Sequence, residues 1–426
     1  MDGRGGHHMT NLEYNDDYIE REQRVLDVIA LKQPDRVPIF LYSTFWQARH
    51  AGMTCEEAMY DYERLSAAIK DSVLEFEPDS YTLIHPAIAL GPTMEIMGYQ
   101  QLKWPGHEGM SPDVSFQYID AEYMKAAEYD EYLDDPTGFY LRRYLPRIAK
   151  AYEPLADLPD FTSLFYTRLI HCTTSFADPK VIEAFETLAR AGREANKMFA
   201  EVSRIGAEMK DLGYPLCQSA SGGAPFDYFA DYLRGSKQGM LDMFRNKDKL
   251  LAAMDAAAPR IARGIINSVG DNRCRIAFIP IHWGLDGFMS PVQFENFFWP
   301  SLRKVLMLLI EADIVPNLLW EGDCTSRLEV IKDVPVGKCI YFFERTDIFK
   351  AKEILGDIVC LRGNIPASMM TTGNPDDVVE YCRKLIDVVG KDGGFIMDCG
   401  VGIPDEAKTE NVKAMFDTTK NYGIYG

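Results

Sequence analysis

Short apolar runs alternate with longer amphipathic ones along most of the chain. The apolar runs are Arg36–Leu41, Ser80–Pro86, Tyr214–Ser219, Arg275–His282, Pro316–Glu321, Cys339–Glu344, Ile358–Gly363 and Gly394–Gly400. Each is followed by a stretch with helical periodicity, which is the rhythm of parallel β/α units. Helix signals punctuate the pattern. Tyr18–Leu31 repeats at helical spacing, and Thr54-x-x-Glu57 is a capping box that predicts one long helix to about Glu75. Asp178-Pro179 opens a helix to about Leu212, and Ser290-Pro291 one to about Ala312. Asn374-Pro375 and Thr409 start the last two. Eight strands, each followed by helix, predict an α/β fold, a TIM (β/α)8 barrel. The irregular and then helical region from about Ala87 to Gly213 is a helical insertion between the second and third strands that would cover one end. Residues 1–16, rich in glycine at the start, read as a flexible arm, and 17–426 as a single barrel domain. His7 and His8 in the arm are set aside from any site.

Composition changes this picture little. With 47% hydrophobic and 26% charged residues among 426, the chain reads as an ordinary globular protein. A formal charge of −19 without a basic cluster speaks against nucleic acid as a partner. No apolar run approaches membrane-spanning length, so no membrane partner is expected. Nine cysteines, scattered through apolar segments, suggest reduced thiols and a cytoplasmic location.

Polar groups at the C-terminal ends of barrel strands make active sites. Glu321, Cys360 and Cys399 each lie at or near such an end, with 38 residues between successive members, and are read as the chemical centre. Asp323 and Cys324 are the alternatives if the turn is built differently, and Glu344 is read as a second carboxylate in the site or a partner for Arg362. His282 and His85 close apolar runs and are candidates for proton transfer; a hydrogen-bonded core histidine is the other reading of each. Cys217, Cys274, Cys339 and Cys382 are read as core.

Three segments carry a resemblance. Ser221-Gly-Gly-Ala-Pro-Phe-Asp-Tyr-Phe-Ala-Asp-Tyr-Leu-Arg-Gly235 resembles the signature of the uroporphyrinogen decarboxylase superfamily, whose members are TIM barrels. Arg362-Gly-Asn364 is similar to another family segment, and Arg21–Val25 with Asp35–Pro38 to the family's opening. The superfamily has a decarboxylase branch and a branch of corrinoid-dependent methyltransferases, so fold does not fix function. In the decarboxylase branch a segment after the first strand supplies two arginines, where this chain has Arg49-His-Ala-Gly-Met53. A histidine of that branch falls at Val401. Asp79 sits near the place of its catalytic aspartate. In the methyltransferase branch a His-x-Cys pair and a later cysteine bind zinc, and these fall at Leu319, Glu321 and Val401.

Both departures lead to the O-demethylase kind of methyltransferase within this superfamily. The resemblance then implies a shifted zinc site at Glu321, Cys360 and Cys399, ligand types that zinc accepts. It implies a methyl group moved from a methoxylated aromatic compound to the Co(I) corrinoid of a partner protein. No Asp-x-His-x-x-Gly segment is present to hold a corrinoid on this chain. His282, Asp79 and His85 are the expected catalytic groups, and Trp46, Tyr81, Phe226, Trp283 and Trp320 an aromatic substrate rim. The alternatives are transfer from methyl-corrinoid to a thiol coenzyme, and a decarboxylase-like lyase. Decarboxylase relatives are commonly homodimers, which extends to this chain as an expectation.

Overall fold

The computed structural model describes residues 14–426. Most of the arm expected over 1–16 therefore lies outside the described residues. The strands are β1 (Phe40–Leu41), β2 (Ser80–Tyr81), β3 (Leu102–Lys103), β4 (Gln117–Tyr118), β5 (Ala220–Ser221), β6 (Ile276–Ile281), β7 (Val315–Trp320), β8 (Ile340–Phe343), β9 (Cys360–Gly363) and β10 (Phe395–Ile396). The parallel order β5-β6-β7-β8-β9-β10 forms one sheet and β1-β2 a parallel pair. Parallel bridges then join the two pieces at both edges, Ile39 with Met397 and Tyr81 with Leu216. Backbone bonds reinforce each seam, Phe40 N–H to the Met397 carbonyl and Cys217 N–H to that of Tyr81. Eight parallel strands thus make a ring, the TIM barrel expected.

The principal helices are α1 (Asp16–Ile29), α2 (Tyr62–Phe76), α3 (Pro179–Asp211), α4 (Lys247–Val269), α5 (Trp299–Glu311), α6 (Pro375–Val388) and α7 (Thr409–Tyr422). The helix expected from Thr54 to Glu75 is two helices. The capping box forms, with Thr54 and Glu57 satisfying each other's backbone N–H, but Asp61 ends Cys55–Tyr60 and caps α2 through Arg64 N–H. An aspartate that can accept at an N-cap restarts the helix in a new direction. The insertion between β2 and β5 is helical, as expected, but also carries the antiparallel β3–β4 hairpin.

Side chains alternate across a strand, so every second residue faces the barrel interior. Phe40, Cys217, Ile276, Ile340, Cys360 and Ile396 form an apolar floor at the strands' N-terminal ends, sealed by Val25, Val28 and Ile29 of α1. Further along the strands, Phe278, Leu319 and Phe342 pack with Tyr42. At the same height Arg362 donates twice to Asp398 Oδ2, at 2.8 and 2.6 Å, both side chains fully buried. Phe40, Tyr42 and Phe342 surround the guanidinium at 4.1–5.0 Å from ring centroids. Beyond this layer His282, Glu321 and Glu344 follow the ends of β6, β7 and β8 at the mouth. Among the described residues no helix is long and apolar enough to cross a membrane.

Candidate functional site

The mouth is organised by His282, two residues beyond Pro280 on the inward face of β6. Its Nδ1 lies 2.6 Å from Asp231 Oδ2, and its Nε2 3.7 Å from Glu321 Oε1. Asp231 also accepts the Trp283 indole N–H at 2.6 Å. Below it Asp227, fully buried, accepts the backbone N–H groups of His282 at 2.8 Å and Trp283 at 3.1 Å. The two aspartates are four residues apart on the helical turns that follow β5, which begin at Pro225. That spacing aims both carboxylates at the end of β6. Tyr118 of the hairpin donates to the Asp231 carbonyl and stands edge-on to Tyr232, ring centroids 6.0 Å apart. The insertion therefore braces the helix that holds Asp231.

Burial pulls the His282 imidazole toward the neutral form. The hydrogen bonds to Asp231 and Glu321 and the charge of Asp227 outweigh it, holding the pKa up at about 11. At neutral pH the ring is an imidazolium with Nδ1 committed to Asp231 and Nε2 facing Glu321. Burial pushes the Asp227 carboxyl up against the pull of His282. Burial and the neighbouring Glu321 raise Glu344 as well. Next to Glu344, a cleft of about 570 Å3 runs along the C-terminal ends of β8 to β10, lined by Arg345, Asn364, Tyr381, Gly400 and Val401 among others. The site thus offers a held proton donor beside carboxylates and an open cleft.

The structure brings together His282, Trp283 and Glu321, and separates the remaining expected site residues from them. Cys360 faces the barrel interior but sits in the apolar floor, two layers below the mouth. Cys399 has the opposite parity to Asp398, so its Sγ points outward, 3.8 Å from Met415 Sδ of α7. Burial pushes both thiols up, away from the thiolate a metal takes. The expected zinc ligands Glu321, Cys360 and Cys399 therefore do not converge. Among the described residues no group of three or more His, Cys, Asp or Glu is disposed to hold a metal ion.

Asp79 precedes β2 rather than following it, which puts it at the floor. There it accepts from Arg24 at 2.5 Å, from Arg36 at 2.7 Å, and from Ile39 N–H at 2.8 Å. His85 opens a short helix behind the barrel wall, its Nε2 3.0 Å from Ser66 Oγ and 3.1 Å from the Tyr62 carbonyl. Burial lowers its pKa, and it is a core histidine. Trp46 stacks on His50 and donates to the Ala407 carbonyl between outer helices. Tyr81, Phe226 and Trp320 face outward into the shell between strands and helices. Trp283, 4.8 Å from Phe288, is the one rim aromatic among the five at the mouth. Glu344 does not pair with Arg362, whose partner is Asp398.

Asp227 and Asp231 were not singled out by sequence, although both lie in the Ser221–Gly235 segment. Their four-residue spacing after a strand was the signal. Cys360→Ala and Cys399→Ala are each expected to cost about 1 kcal/mol, as loss of one buried methyl-sized group does, and to leave turnover per folded molecule unchanged. Urea midpoints with kinetics on the same samples check this.

Known proteins extend the picture. A methylcobamide:CoM methyltransferase MtbA of Methanosarcina acetivorans is 26% identical over 30% of this chain and 37% of its own. A uroporphyrinogen decarboxylase of Flavobacterium johnsoniae is 26% identical over 33% of this chain and 39% of its own. The chain thus matches these curated relatives over less than two fifths of their length. A methyltransferase from Methanosarcina mazei of known structure shares the fold, with a TM-score of 0.60 and 17% identity, over 94% of this chain and 98% of that one. The family described as uroporphyrinogen decarboxylase (URO-D) matches residues 173–422, well over half of the chain and the part that carries Asp227, Asp231, His282 and Glu321, and the chain belongs to that family.

Proposed function

We propose that the protein is a methyltransferase that takes a methyl group from a methoxylated aromatic and works with a corrinoid protein. The observation that carries the reading is His282 at the barrel mouth, its Nδ1 held 2.6 Å from Asp231 and its Nε2 3.7 Å from Glu321. The likeness to a methylcobamide:CoM methyltransferase supports methyl transfer. Met53 and Val401, where the decarboxylase branch has an arginine and a histidine, weigh against decarboxylation.

An aryl ether gives up its methyl only if the departing oxygen is stabilised, because a phenolate leaves poorly. A corrinoid on the partner supplies the methyl acceptor. As the methyl–oxygen bond breaks, its electron pair stays on the aryl oxygen, which takes the Nε2 proton of His282. Asp231 fixes the ring through Nδ1 and keeps it charged, Asp227 anchors the backbone that carries it, and Trp283 offers the substrate ring an aromatic wall. Glu321 returns a proton to Nε2 from solvent at the open mouth. The residues present do not fit the zinc site expected at Glu321, Cys360 and Cys399, and no step is assigned to a metal.

The test is to add 2-methoxyphenol and cob(I)alamin under anaerobic conditions and assay for catechol. Catechol released in proportion to enzyme turnover is expected; none, also with a range of other methoxylated aromatics, would overturn the reading. Proton donation also has a pH signature. A pKa raised from 6.5 to about 11 keeps His282 charged through neutrality, so the rate should hold there and fall as pH rises toward 11. Asp231→Asn removes the nearest counter-charge and leaves burial to pull the ring down, so the fall should move to lower pH. A single-turnover pH profile of both proteins checks the shift.

A further inference from the structure

A second cleft, of about 410 Å3, opens where the insertion packs on α4. Ala257, Arg260 and Ile261 of α4 form one wall, at the three- and four-residue spacing that puts side chains on one helix face. Tyr132 and Tyr140 of the insertion form the other, together with Tyr228. None of His282, Asp231, Glu321 and Glu344 lines this cleft, so it is separate from the barrel mouth. Its walls are mostly apolar and aromatic, and Arg260 is the one charged side chain among them.

The polar groups here are donors left without acceptors. Arg260 donates from Nη2 to the Tyr132 hydroxyl at 2.8 Å, and its guanidinium lies 5.3 Å from the centroid of that ring. It pairs with no carboxylate among the described residues. Acids on the neighbouring insertion helices are engaged elsewhere, Asp130 by Lys249, Glu131 by Arg143 and Asp135 by Arg142. Tyr132, 1% exposed, accepts from Arg260 and donates to no described group. Tyr140 and Tyr228 hydrogen-bond through their hydroxyls to each other and to nothing else described. One of the two donates, which leaves the O–H of the other free. Burial pushes the Tyr132 and Tyr228 phenols up, so both keep their protons at neutral pH.

A guanidinium flanked by phenol donors suits the two oxygens of a carboxylate. The remaining walls suit a planar ring, which buries apolar area against tyrosine faces and Ile261. We propose that this cleft binds a one-ring aromatic carboxylate at a site of its own, with the carboxylate on Arg260 and the Tyr132 hydroxyl. An inorganic anion would meet the same cation but leave the apolar walls uncovered. A ligand seated here also rests against Tyr228, which follows Asp227 on the helical turns that carry Asp231. The methyl-transfer reading is not needed for this, because no residue of the cleft takes part in it.

Ligand-observed NMR titration of the full chain with benzoate tests it. Benzoate has no methyl group to give, so the titration reads binding whether or not the protein demethylates anything. Saturable binding with a millimolar or lower Kd is expected, with acetate weaker by roughly tenfold or more for want of the ring. Arg260→Leu should weaken benzoate binding by roughly tenfold or more, as loss of a hydrogen bond to a charged group does. Its circular dichroism spectrum should not change, since Arg260 is exposed. His282→Gln, altered only at the mouth, should bind benzoate as wild type does. No saturable binding, acetate equal to benzoate, an unaffected Arg260→Leu, or loss of binding in His282→Gln would each overturn the proposal.

Discussion

His282→Gln is expected to slow demethylation of 2-methoxyphenol by roughly 10²–10⁴-fold, the usual worth of a positioned proton donor. Glutamine fills much of the same space and can still hydrogen-bond to Asp231, but it has no proton to give. Donor binding should change little, because the aromatic ring meets Trp283 and the cleft walls rather than the imidazole. The informative comparison is among donors. A nitro-substituted anisole leaves as a stabilised phenolate and needs no proton, so the deficit of His282→Gln should shrink as the phenol becomes more acidic. A residue that only shaped the mouth would depress all donors alike. An equal loss across the series would remove His282 from proton transfer.

Arg362→Leu is the second large effect, and it falls on stability. The guanidinium sits within the barrel with its partner, both at zero exposure. Removing one member leaves Asp398 uncompensated in a space with no solvent, which costs about 3–5 kcal/mol in a pair of this kind. Burial already raises the Asp398 carboxyl from 3.8 to about 6 with Arg362 beside it. A carboxyl raised on folding favours the folded state at low pH, and that contribution is lost as pH rises through its folded pKa. Without the guanidinium the pKa goes higher still, so the loss should be smallest in acid and grow toward neutrality. Replacing both residues, Arg362→Leu/Asp398→Leu, should recover much of the difference. Urea denaturation of the three proteins at pH 5 and pH 8 measures it.

Strand count and order were readable because parallel strands buried on both faces appear as near-continuous apolar runs. Direction within a strand was harder. Glu321, Cys360 and Cys399 look alike as polar residues at the ends of apolar runs, yet they differ in height and in parity. Ile396 and Asp398 face inward, so Cys399 had to face out; Cys360 begins β9 instead of ending it. The same alternation turns Trp320 outward once Glu321 points in, and Tyr81 outward between Ser80 and Thr82. Even so, knowing which parity faces in requires one fixed point. Arg362 and Asp398 supply it through a pairing that is remote in sequence. Asp79 and His85 illustrate a second limit: each lies within six residues of a strand, but one precedes it and the other follows on a helix turned away. The Asp231–His282 pair joins two β/α units, and no local pattern announces which helix leans over which strand.

Closure of the ring has a consequence during synthesis. β1 pairs with β2 on one side, but its other side waits for Met397, which pairs with Ile39 across 358 residues of chain. While the protein is being made, the first strand carries an open edge until the last strand has left the ribosome. At 5–20 residues per second that interval is on the order of 20–70 s. Unpaired edges of apolar strands template association with other chains. The stage most exposed to aggregation is therefore the nascent chain with seven strands made and the eighth missing, and folding helpers that act on the ribosome should raise the yield of this protein more than those that act after release.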